Sequence, residues 1–232
     1  MVKDNLHKIN MLIKQFGLKH AIFRTIMSRI KPIFRSQLAL LLIIESRNHN
    51  EPTAEEVRIA YLDKLILHNL FSQDKIDKEL FLKFEDFLNT NCTGLLAFLD
   101  DSLTGYAFIQ HKGLYKFIPN GSFLIPEKMT LLKNLMVFPE YRGLSIGKIL
   151  NQKRIASVPN DKFPLVFVKA DNRYAIRNLK MFGFEEKVKV RIITWFGKWS
   201  FQKIKLLVKP DHITDEIIKG LTVNNKISKN KS

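Results

Sequence analysis

The chain has 232 residues, 46% of them hydrophobic, enough to bury a sizeable core in one domain. A single cysteine, Cys92, excludes an internal disulfide, and no Cys/His spacing of the zinc type occurs, so a reducing, cytoplasmic setting is expected. Lys and Arg outnumber Asp and Glu by 38 to 22, a formal net charge of +16 that favours anionic partners: nucleic acid, an acidic membrane surface or a polyanionic substrate.

The charge is not evenly spread. Residues 1–36 hold eight basic residues against one acid, and residues 187–232 hold eleven against three, which leaves the middle almost neutral. Three segments are expected: a basic amphipathic helical extension over 1–36, a globular domain over 37–208, and a short helix with a flexible basic tail over 209–232. In the first, Leu6, Ile9, Ile13 and Phe16, then Phe23, Ile26, Met27 and Ile30, recur at helical spacing, with lysines and arginines between them. Such a helix lies on anionic lipid or packs on its own domain, and the sequence leaves both readings open. No stretch approaches the ~20 apolar residues that span a bilayer, and the order of a signal peptide is missing. A cytoplasmic protein, at most peripheral to a membrane, is the expectation.

Leu38–Ile44 is a short apolar run bounded by polar residues, as in a buried strand. A helix is expected from Pro52 to about Leu70, with Glu55 and Glu56 in its first turn, and another over 73–89. Strands follow at Leu95–Leu99 and Thr104–Gln110 about the turn Asp100-Asp101-Ser102, then at Met129–Phe138. A helix from Ser145 to Ala156, a strand over Pro164–Ala170 and a helix over Arg173–Phe182 come next. Val188–Phe196 and Trp199–Leu207 read as a last hairpin, and 221–232, without apolar periodicity, as a frayed tail. The order predicts an α/β fold whose sheet is mostly antiparallel before its central strand, with crossover helices around that point.

The stretch Leu135 to Leu150 is a strand, a turn and a helix start. Gly143 and Gly147 allow close backbone approach there, and the first N–H groups of a helix lack internal partners and lie at its positive end. Together they suit a diphosphate, with Arg142 adding a charge-assisted bond. The residues also resemble the central motif of the GNAT superfamily of acyl-CoA N-acyltransferases. Leu135, Val137, Pro139 and Tyr141 match its lead-in, Arg142, Gly143 and Gly147 its core, and Ser145 replaces the usual middle glycine. Asn172, Ala175 and Gly183-Phe184 match the later motif at the family's spacing, though Asn172 and Gly183 also suit an ordinary capped helix.

The resemblance implies a GNAT-like mixed, mostly antiparallel sheet flanked by helices, with the helical extension ahead of it. It implies acetyl-CoA as donor, held by Leu135, Met136, Val137, Arg142, Gly143, Leu144, Ser145, Ile146, Gly147 and Asn172, and an amine that attacks the thioester directly. A small-molecule or sugar-nucleotide amine is the expected acceptor, with the basic ends free to touch an anionic membrane or another polyanion. A protein acceptor and a non-catalytic CoA-binding domain are the alternatives. Catalytic residues are not assigned. The family's helix tyrosine, four residues before Gly-Phe, is Leu179 here, Tyr174 is out of position, and Met129–Phe138 has no acid. Glu45, Glu51 and Asp100 have no positional support, and Glu140 and Tyr141 belong to the lead-in.

Overall fold

The computed structural model describes residues 34–45, 57–118, 121–195 and 199–229. The amphipathic extension lies outside the described residues up to 33, and β1 (Phe34–Ile43) opens inside the segment assigned to it. The described residues fall into two compact units, one drawn from 34–38 with 191–195 and 199–203, the other from 39–45, 57–118, 121–190 and 204–229. The larger carries the site.

After β1 come β2 (Val57–Leu62), α1 (Lys64–Ser72) and α2 (Lys78–Asn89). The helix expected from Pro52 to Leu70 is therefore corrected. Its described first half is a strand, because Val57, Ile59 and Tyr61 favour extended backbone and pair with Leu99, Ala97 and Leu95. The helix starts only where Asp63 accepts from Ile66 N at 2.7 Å. Likewise α2 begins after Asp77, which caps Leu80 N at 2.7 Å, and not at residue 73.

Strands β3 (Cys92–Leu99) and β4 (Ser102–Gln110) form the expected hairpin. A second hairpin, β5 (Leu114–Ile118) with β6 (Gly121–Leu124), was not expected from the sequence. Then follow β7 (Met129–Val137), a 3-10 turn at Pro139–Tyr141, α3 (Ile146–Ala156), β8 (Phe163–Lys169), α4 (Arg173–Met181), β9 (Glu185–Trp195), β10 (Trp199–Leu206) and α5 (His212–Lys229). The segment read as a frayed tail is thus helical through Lys229. Ile213, Ile217 and Leu221, buried at four-residue steps, anchor the first turns, and extending a helix costs less than nucleating one.

The main sheet runs β10-β9-β1-β8-β7-β4-β3-β2. Its pairs from β2 through β3 and β4 to β7 are antiparallel, β7–β8 is parallel, and β8–β1 is antiparallel again. Alternate residues feed two cores. Leu95, Ala97, Ala107, Ile109 and Leu132 pack with α3 and α4 residues on one face. Leu96, Phe98, Tyr106 and Phe108 pack with Phe84 and Leu67 on the other, where Cys92 is also buried. Helix α5 presses on the second hairpin, since a Cβ at Gly220 would lie 2.5 Å from Leu124 O. No helix among the described residues is long and apolar enough to cross a membrane.

Candidate functional site

The two central strands separate partway along. β7 and β8 pair only at Met129–Phe163, Thr130–Pro164 and Leu131–Leu165. Beyond Leu131, β7 keeps β4 on one edge and has no strand on the other. Its register with β4 also slips: Lys133 faces Phe108 and Met136 faces Tyr106, so Asn134 and Leu135 together oppose Ala107. This is a β-bulge, with Asn134 at φ 50°. Gly105 makes the close approach feasible, because a Cβ there would meet Met136 O at 2.6 Å. Phe138 N donates to Thr104 O at 3.0 Å, so strand alternation turns the Val137 N–H to the open edge.

The turn that follows is built from main chain. Gly143 stands at φ 92° with nothing within 4 Å of where a Cβ would be, so conformation and not crowding selects glycine. Ser145 takes the left-handed region as well, φ 59° and ψ 5°, and its hydroxyl makes no capping bond. Among the described residues, the N–H groups of Gly143 to Gly147 donate to no main-chain carbonyl. They form a run of free donors at the positive end of α3. A Cβ at Gly147 would touch Val137 and Leu135 at an ordinary 3.5 and 3.8 Å, so packing within the protein does not demand glycine there. The bare backbone suits close approach of a ligand.

The opening between β7 and β8 leads into a cleft of about 1000 Å³ bounded by the bulge, the start of α3, the end of β8 and α4. Nine of the ten residues singled out above line it; Leu144, 53% exposed, does not. Ile146 is buried, so what it offers a ligand is its N–H. Asn172 lines the cleft but spends its oxygen on Ala175 N at 3.1 Å as the cap of α4, leaving its NH2 group. Leu179 is buried in the core beneath α4, so this helix places no phenol where the family's tyrosine would stand. Tyr174, on the same helix, lines the cleft but is exposed. Among the described residues, six cations and no carboxylate line the cleft: Lys133, Arg142, Lys148, Arg154, Lys169 and Arg177. Arg154 is buried with its Nε on Asn151 Oδ1 at 2.8 Å, and desolvation lowers its pKa to about 9.

Two lining residues escape a reading by motif. Lys133 is the one charged residue of β7, and the structure turns it to the α2 face. Tyr115 comes from the unexpected hairpin. Burial pushes its phenol above the ordinary value, which keeps it protonated at neutral pH. The alternation Leu114-Tyr-Lys-Phe-Ile was the available signal for that strand.

The acetyltransferase (GNAT) family matches residues 60–184, more than half of the chain. No curated protein matches the sequence. A solved structure from Novosphingobium aromaticivorans, assigned to the GNAT family, is 16% identical with a TM-score of 0.47, over 69% of this chain and 64% of that one. The chain therefore spans less than two thirds of that protein's length. A GCN5-related N-acetyltransferase-like protein from Streptococcus suis is 13% identical with a TM-score of 0.44, over 76% and 68% of the two chains. The aminoglycoside N-acetyltransferase AAC(6')-Iy in complex with CoA is 16% identical with a TM-score of 0.40, over 56% and 92%. Members of the matched family take an acetyl group from acetyl-CoA, and by the match over residues 60–184 this chain belongs to the GNAT acetyltransferase family.

Proposed function

We propose that the protein transfers acetyl from acetyl-CoA to the amine of a small molecule, such as an amino sugar or its nucleotide, by direct attack. The observation that carries this reading is the early end of β7–β8 pairing beside the free N–H groups of Gly143 to Gly147. Leu135 to Val137 would offer main-chain groups to the pantetheine arm as an added strand does. The turn and Arg142 would hold the diphosphate, and the NH2 of Asn172 would lie beside the arm.

Acetyl-CoA supplies an activated thioester; the chain's part is alignment, which can account for much of the rate. The Val137 N–H on the open edge would face the carbonyl oxygen as negative charge builds there. A C–N bond forms, the C–S bond breaks with CoA leaving as its thiolate, and the amine proton leaves for water, since among the described residues no lining carboxylate stands ready to take it. The cleft has no cysteine, and Cys92 is buried in the core beneath α1 and α2, which supports attack without an acyl-enzyme.

Isothermal titration of acetyl-CoA and free CoA tests this, with an Arg142→Ala, Gly147→Trp double variant as control. The wild type should bind both. The variant should bind at least about a hundredfold more weakly, about 2.7 kcal/mol. A wild type that binds neither ligand would remove the basis of the reading.

A further inference from the structure

Lys133 is 8% exposed, yet among the described residues no carboxylate pairs with it. Its Nζ donates to Gln110 Oε1 at 2.9 Å and lies 4.2 Å from the Phe87 ring centroid and 5.8 Å from that of Tyr115. Gln110 is itself fixed. Its Nε2 donates to Lys112 O at 3.2 Å and Leu114 O at 3.3 Å, which commits both amide hydrogens and aims the oxygen at the lysine. An ammonium has three donors, and one is used here. A neutral amide and two ring faces hold the cation in place without neutralising it. Desolvating a charge is costly when no counter-ion answers it.

The position of this cation separates it from the donor seat. Leu135 and Val137 lie toward Gly147 of α3, whereas Lys133, just before the bulge, reaches Phe87 of α2 across the sheet. Arg142 and Lys148 belong to the turn and helix that would meet the donor's phosphates, and Lys133 opens into the same cleft from the opposite face.

We propose that the acceptor carries a phosphate or diphosphate beside its amine, and that Lys133 is the group that binds it, seated by Gln110 between Phe87 and Tyr115. This rests on the acetyl-CoA reading above and adds the chemical class of the second substrate. The incoming oxyanion supplies the counter-charge that the fold withholds, through a charge-assisted bond. A polycationic amine would meet six lining cations and, among the described residues, no carboxylate, and would be repelled.

The test uses the full chain saturated with free CoA, so that the donor seat is filled. O-Phosphoethanolamine and ethanolamine, which differ only in the phosphate, are then titrated calorimetrically. The wild type should bind the phosphate ester at least about tenfold more tightly. Lys133→Met should abolish that preference while retaining CoA, and Lys133→Arg should keep it. If Lys133→Met loses CoA, Lys133→Gln carries the same comparison with a polar head beside Gln110. Equal binding of the two amines, binding of neither, or a preference that survives loss of the charge would overturn the proposal. Failure of CoA itself to bind the wild type would instead bring down the donor reading, so the two failures are distinct.

Discussion

The cleft has two walls built by different means. On the α3 side, the wall proposed to hold the donor is main chain: a left-handed glycine, a left-handed serine and a run of free N–H groups within five consecutive residues, most of them exposed. On the α2 side, the wall is side chain: Lys133 from β7, Gln110 from β4, Tyr115 from β5 and Phe87 from α2, gathered from separate parts of the chain. A main-chain site fixes residue types at fixed spacing, because only certain residues permit its dihedrals. A side-chain site fixes positions in space and leaves spacing free. The first wall suits a donor that is the same in every member of the family. The second can change without disturbing the first.

Substitutions can set the walls against each other. The largest effect is expected at Gly105, where a valine side chain would collide with Met136 O, 2.6 Å from the nearest added atom. Gly105→Val should cost about 3 kcal/mol in urea unfolding, as overpacking against backbone does, and should weaken CoA because it distorts the bulge. Full retention of CoA affinity would show that the donor wall does not depend on the approach of β4. A smaller effect of opposite sign is expected at Ser145, which holds φ 59° without a capping bond. Ser145→Gly should stabilise the fold by up to about 1 kcal/mol by relieving left-handed strain, with CoA binding kept or tightened. Destabilisation would mean that the hydroxyl contributes something the main-chain description omits.

The smallest expected signal is a titration. Burial raises the Tyr115 phenol above its ordinary value of about 10. Between that value and the folded one, the unfolded chain has released a proton that the folded chain still holds. This group's contribution is therefore complete below pH 10 and is lost as pH rises through the folded value. Phenolate absorbance should show a late-titrating tyrosine that disappears in Tyr115→Phe. An unchanged titration curve would place the phenol in open solvent and loosen the α2-side wall.

The contrast also explains what could be read in advance. The strand, turn and helix start proposed as the donor seat were legible because Arg142, Gly143 and Gly147 follow one another along a single stretch of chain. So were β3 and β4, apolar runs with Asp100 and Asp101 between them. The edge strand β2 was mistaken for helix because acidic residues before it imitate a helix start; only its partner β3 decides the matter. The hairpin of β5 and β6 is short, its strands five and four residues long, and its alternation is too brief to stand out alone. Lys133 appeared in the sequence only as a polar residue in a strand without an acid. Its meaning depends on Gln110, Phe87 and Tyr115, none of which is its neighbour in the chain.

No residue of α5 up to Leu221 lines the cleft, yet the helix braces one wall. Gly220 sits against both Leu124 O and the Phe123 ring, Phe123 meets Phe167 of β8 at 5.1 Å, and Phe167 meets Tyr115 at 5.6 Å. A contact chain thus runs from the C-terminal helix to the rim of the pocket without crossing the donor turn. Under the proposed reading, acceptor choice could accordingly be engineered from Gly220, 105 residues beyond Tyr115 in sequence, by altering how firmly this strut is wedged while leaving the proposed donor turn intact.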